Sequence, residues 1–119
     1  GGRESAREAF REFAKTYDYK FVDISNLSTK EQIRIITEAR KINPKTNRPY
    51  GSVVASGQDP SPSDPAPFTS GGHVLAISKM NKKGSSKVMD PNSLRKSKVW
   101  WSSNQLLERA SYVYVLYPN

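Results

Sequence analysis

The chain of 119 residues is 35% hydrophobic, carries a formal net charge of +8 and contains no cysteine. That length supports one domain with its own core and is too short for two ordinary ones. The lack of thiols excludes a disulfide framework, thiolate zinc sites, zinc-dependent nucleobase deaminase chemistry and, as the chain stands, thiol catalysis.

No apolar run approaches the ~18 residues of a membrane span, and no signal peptide is visible. Gly1-Gly2 reads as an added or cut domain edge. The charge is unevenly spread: residues 1–78 hold 11 bases against 9 acids, and residues 79–119 hold 8 against 2. Between Lys79 and Lys98 seven bases accompany one acid, Asp90. A basic run of this kind favours an acidic partner, whether nucleic acid, an anionic membrane surface or an acidic protein; the plainer reading is a solvated lysine-rich turn.

In chain order, residues 4–16 carry Ala6, Ala9, Phe10, Phe13 and Ala14 at helical spacing, with Arg7, Glu8, Arg11, Glu12 and Lys15 opposite them. This predicts an amphipathic helix with Ser5 as its N-cap or first-turn residue. Residues 19–24 predict a short strand. Ser28 and Glu31 form a capping box for a second helix that runs through Ile33, Ile36 and Ala39 towards Ile42, where Asn43-Pro44 stops it. Ile33, Ile36 and Ile42 are expected in the core. Residues 43–50 read as a turn-rich loop and 51–55 as a short strand. Residues 56–72, with four prolines and three glycines, cannot make a helix or a central strand and read as a surface loop anchored by Phe68. Late in the chain, Ser102 or Ser103 caps a short helix bearing Leu106, Leu107 and Ala110. Tyr112 to Tyr117 alternates aromatic and aliphatic residues as a strand does. The adjacent Trp100 and Trp101 cannot both face one side of a strand, so one packs while the other is free to line a surface. Late strands preceded by helices predict an α+β fold with an antiparallel sheet.

The stretch from Gly71 to Asn92 is the chemical centre of the chain. His73, the one histidine, opens an apolar run from Val74 to Ile77. A Lys/Asn/Gly/Ser turn, with Gly84 supplying a positive φ, leads to a second run that ends at Asp90-Pro91. This is hairpin patterning, and a hairpin brings the start of its first strand beside the end of its second. His73 and Asp90 are therefore expected as neighbours. A carboxylate beside an imidazole fixes its tautomer and supports its charged form, as general-base catalysis requires. No metal or cofactor is called for.

A Gly-His-apolar strand, a hairpin, an apolar-Asp-Pro strand end, a helix and an aromatic-rich last strand together resemble the papain-like fold of bacterial toxin and effector cysteine enzymes. The resemblance implies N-terminal helices packed on a small antiparallel sheet, with His73 as general base and Asp90 as its orienting partner. It implies a nucleophile at the start of the first helix, where Ser5 stands in the place of the expected cysteine and Ala6 is the second choice. A thiol replaced there would disarm such an enzyme. The implied reaction is attack on a carboxamide or peptide carbonyl, by deamidation or proteolysis, after secretion or delivery into the cytoplasm of a target cell. The implied partners are a protein substrate and a cognate immunity protein. Trp100, Trp101, Lys82, Lys83 and Lys96 are the candidate substrate contacts. The alternative, drawn from the charge and the missing cysteine, is a metal-independent ribonuclease using His73 on RNA.

Overall fold

The computed structural model describes residues 2–59, 67–69 and 71–119; residues 60–66 and 70 of the predicted proline-rich loop lie outside them. The order of elements is α1 (Gly2–Tyr17), β1 (Tyr19–Asp23), α2 (Thr29–Ala39), β2 (Ile42–Asn43), β3 (Arg48–Pro49), β4 (Ser52–Gly57), β5 (His73–Met80), β6 (Ser85–Met89), α3 (Leu94–Ser97), β7 (Trp101–Ser102), α4 (Ser103–Glu108) and β8 (Ala110–Pro118). The fold is α+β. Six strands form one antiparallel sheet in the order β1-β8-β4-β5-β6-β7, and β2 and β3 form a separate small hairpin.

Strand alternation sorts the sheet into two faces. Val53, Ala55, Leu75, Ile77, Val88, Val113 and Val115 turn to one side, where Ile36 of α2 and Leu106 and Leu107 of α4 complete the core. Tyr112, Tyr114 and Leu116 turn to the other, and α1 covers them with Phe10, whose ring meets Tyr114 edge-on at 5.5 Å. The two N-terminal helices thus lie on opposite faces. β8 is buried on both sides, which explains why its apolar and aromatic positions alternate without an exposed set.

Local chemistry sets the element ends. The Ser28 hydroxyl accepts from the Glu31 amide at 3.2 Å and opens α2 as the capping box predicts. The helix stops at Ala39, before Asn43-Pro44, where the Arg40 side chain reaches across to the end of the sheet and donates to the carbonyls of Ser78 at 3.0 Å and Gly51 at 2.9 Å. The predicted loop 43–50 is instead largely the β2–β3 hairpin, turned through Asn47 at a φ of 59°. That hairpin carries Ile42 away from the core, to 55% exposure, against the sequence expectation. Ile36 is buried as expected and Ile33 packs at the core margin. Gly84 has a φ of 87°, as the β5–β6 turn requires.

Where β4 ends, four residues form a clamp. Asp59, 1% exposed, accepts from the Phe68 amide at 2.9 Å and from the Arg109 guanidinium at 2.7 Å. The Phe68 ring is buried in the core. Gly57 permits this approach: a Cβ there would lie 2.4 Å from the Arg109 carbonyl oxygen and 2.7 Å from the Phe68 ring.

The Tyr114 hydroxyl is held above the usual tyrosine range, first by burial and then by the Asp23 carboxylate nearby. The folded chain therefore keeps this proton when the unfolded chain has released it, so stability falls as pH rises above about 10. Urea midpoints at pH 8 and pH 11 should converge in Tyr114→Phe relative to the parent chain. An equal alkaline loss in both would remove Tyr114 from the account.

Candidate functional site

His73 is the first residue of β5, entered through Gly71 and through Gly72, whose φ of 90° turns the chain into the strand. The Thr69 hydroxyl donates to the Gly72 carbonyl at 2.9 Å and steadies that turn. Pairing with Gly57 places His73 in step with Leu75 and Ile77, on the core face of the sheet. Asp90 follows β6 in step with Val88 and so comes to the same face.

The hairpin brings the two together: His73 Nε2 lies 2.8 Å from Asp90 Oδ1, with side-chain exposures of 11% and 1%. Nε2 makes no aligned hydrogen bond among the described residues, so the two groups meet by proximity and not through a well-directed N–H···O bond. Two acceptors at that distance would repel, which assigns the ring proton to Nε2 and leaves Nδ1 as the basic nitrogen of the neutral ring.

Asp90 is held by its own turn. Its Oδ1 accepts from the Asn92 amide at 2.8 Å, and its backbone amide donates to the Ser97 hydroxyl at 3.0 Å. Ser93 caps α3 by accepting from the Lys96 amide, and Ser97 donates back to the Ser93 carbonyl at 3.1 Å. The Asp-Pro-Asn-Ser run is thus an Asx turn leading into a one-turn helix. α3 is not expected from the sequence because four residues show no periodicity, yet a serine three residues before Lys96 is an ordinary cap pattern.

The structure separates Ser5 from this pair. α1 starts at Gly2 and packs on β1 and β8, over the face of the sheet opposite to His73, and the Ser5 side chain is exposed. Ala6 shares the same helix. The N-terminal half of α1 instead engages the end of β1, where Arg7 pairs with Asp23 at 3.3 Å and Arg3 donates to Asn26 at 3.2 Å.

The five candidate substrate contacts are also divided. Trp101 is 6% exposed and its indole donates to the Lys96 carbonyl at 2.9 Å, so it is a core residue. Lys96 stands in α3, close to the Asp90 turn. Trp100 is 47% exposed, with the Lys87 ammonium 5.1 Å from its ring centre. Lys82 and Lys83 are exposed in the turn at the other end of β5 from His73. The basic run is therefore split: Arg95, Lys96 and Lys98 lie in or just after α3, beside the Asp90 turn, whereas Lys79, Lys82, Lys83 and Lys87 lie toward the other end of the hairpin.

Two grooves mark the surface away from the pair. One, of about 410 Å³, is apolar and lies between α1 and the sheet, lined by Phe10, Phe13, Tyr19, Val54 and Leu116. The other, of about 460 Å³, lies where α2, the β2–β3 hairpin and the end of β5 meet. Among the described residues no group of three or more His, Asp or Glu side chains is placed to hold a metal ion, and no helix is long and apolar enough to cross a membrane. No protein-family model, curated protein or solved structure matches the chain.

Proposed function

We propose that this chain is a hydrolase or deamidase domain of the toxin or effector kind, in which His73 is the general base, Asp90 its positioning partner and a water the attacking group. The observation that carries the reading is the 2.8 Å contact between a nearly buried imidazole and a carboxylate that its own turn holds in place. Such a pair suits attack on a protein carboxamide or peptide carbonyl. The water oxygen bonds to the carbonyl carbon as the C=O π bond opens, and its proton passes to Nδ1 of His73; the tetrahedral adduct then re-forms its carbonyl and breaks the C–N bond, the proton from His73 going to the departing nitrogen, released as ammonia or an amine. Asp90 compensates the imidazolium formed between the two steps. The ribonuclease reading draws less support, because only the α3 part of the basic run stands near His73 and Asp90.

The test uses the intact chain with denatured casein, following ammonium for deamidation and new primary amines for proteolysis. His73→Ala should lower the rate by about 10²-fold or more, the usual contribution of a positioned base. Release equal to that of His73→Ala, or RNA cleavage in place of both products, would overturn the reading. Because the chain is free of cysteine, Ser5→Cys introduces a single thiol. On the opposite face of the sheet it should be alkylated at the rate of an ordinary exposed thiol, with or without His73; fast labelling at about pH 6 that depends on His73 would restore Ser5 as the nucleophile position.

A further inference from the structure

The positive charge of this protein is gathered at one pole. Eight bases sit on the elements that converge there: Arg40 and Lys41 at the end of α2, Lys45 and Arg48 in the β2–β3 hairpin, Lys79 at the end of β5, Lys82 and Lys83 in the following turn, and Lys87 across from Lys79. Glu38 is the acid among them, and Lys41 holds it at 2.8 Å. Residues 39–57 and 78–89 contain no Asp or Glu at all. The pole therefore accounts for +7 of the chain's +8, and the rest of the molecule is close to neutral.

The second groove opens in this pole, lined by Arg40, Lys41, Lys79, Ile42, Met80 and Trp100 among others. Its floor is apolar, and Trp100 stands beside it half exposed, its ring steadied by Lys87. Thr37 Oγ1, buried against the groove, has no hydrogen-bond partner among the described residues. An exposed indole next to an apolar floor gives unpaired bases a surface on which to stack, and cations contributed by four separate elements match a chain of phosphates.

We propose that this groove binds single-stranded nucleic acid, with Trp100 as the stacking platform and Lys79, Lys82 and Lys83 on the phosphates. An acidic protein segment would satisfy the cations and leave the stacking surface unused, which is why the nucleic acid is favoured. The site is independent of the His73–Asp90 pair, which stands at the other end of β5.

The experiment is a tryptophan-fluorescence titration of the intact chain with fifteen-residue oligouridylate and oligothymidylate, from about 50 to 200 mM salt. Both should quench Trp100, while buried Trp101 supplies an unquenched background. Trp100→Ala, followed by anisotropy of a labelled oligonucleotide, should weaken binding by about tenfold, within the range for removal of one stacked base. Lys79→Gln with Lys82→Gln and Lys83→Gln should flatten the plot of log affinity against log salt by about 2, because each lysine on a single-strand phosphate adds ~0.7 to that slope. His73→Ala should bind as the parent does. All of these residues except His73 are exposed, and circular dichroism checks that each variant is folded. Tighter binding of oligouridylate assigns RNA, and equal binding assigns a site that reads phosphate and base without the 2′-hydroxyl. Absence of binding at low salt, Trp100→Ala binding as tightly as the parent, or polyglutamate of the same length binding with the same dependence on Trp100 would each overturn the proposal.

Discussion

Phe68→Ala should lower the unfolding free energy by about 3–5 kcal/mol, the cost of removing a fully buried aromatic ring whose surroundings cannot close over the space. The ring is 1% exposed and packs within the main core, although it arises from a stretch of chain that is otherwise polar and proline-rich. Its neighbours are stiff. Backbone of β4 at Gly57 lies against one edge, and the Arg109 carbonyl stands close by. Neither can move into the cavity without disturbing the pairing of β4 with β8, which already shifts register at Ser56 and Gly57. Urea unfolding is the measurement, read as a fall in midpoint at constant slope. A loss under about 1 kcal/mol would mean that the ring is dispensable to the core, contrary to its burial.

Asp59→Ala should cost about 2–3 kcal/mol by a different route. The carboxylate is buried and has two partners, the Phe68 amide on Oδ2 and the Arg109 guanidinium on Oδ1. Removing it leaves the buried amide without an acceptor and strips Arg109 of its counter-charge. Arg109 retains 37% side-chain exposure, so water compensates part of the loss, and the figure belongs below that for a fully buried pair. Asp59→Asn should cost less, because its carbonyl oxygen still accepts one hydrogen bond. Since Asp59 and Phe68 touch, the double variant should lose less than the two single losses added together. Strict additivity in a double-mutant cycle would show that the clamp does not act as a unit.

Much of this architecture is legible in residue patterns, and the failures have identifiable physics. Ser28 marks the start of α2 because its hydroxyl accepts from the Glu31 amide three residues on, which needs nothing from the tertiary fold; the Glu31 carboxylate turns instead to Arg34. The hairpin around Gly84 and the meeting of His73 with Asp90 follow from turn chemistry, which is also local. The end of α2 is misjudged by periodicity because Arg40 is engaged by carbonyls at the sheet end, 11 and 38 residues away in sequence, a tertiary effect. Ile42 is expected inside on the strength of that longer helix, and it is outside for the same reason. Only resemblance ties Ser5 to His73. The side of the sheet on which α1 packs is decided by the aromatic rings of Phe10, Tyr112 and Tyr114, and no spacing along the chain reveals it. The charge pole is hidden in the sequence because its members come from segments separated by more than thirty residues.

The position of β8 has a consequence for biosynthesis. β8 lies between β1 and β4 in the middle of the sheet, and Asn119 returns to Asp18 through two hydrogen bonds of 3.1 and 3.0 Å. During synthesis β1 and β4 leave the ribosome about ninety and sixty residues before their shared partner does. Until then both expose unpaired edges, and the core lacks Val113 and Val115. The nascent chain thus has no complete sheet to dock on, and folding waits for the last strand to emerge, with the long closure between β1 and β8 setting a slow pace. A chaperone that shields strand edges would meet this polypeptide while residues 24–109 are being made, and a ribosome stalled before residue 110 would hold a chain unable to hide them.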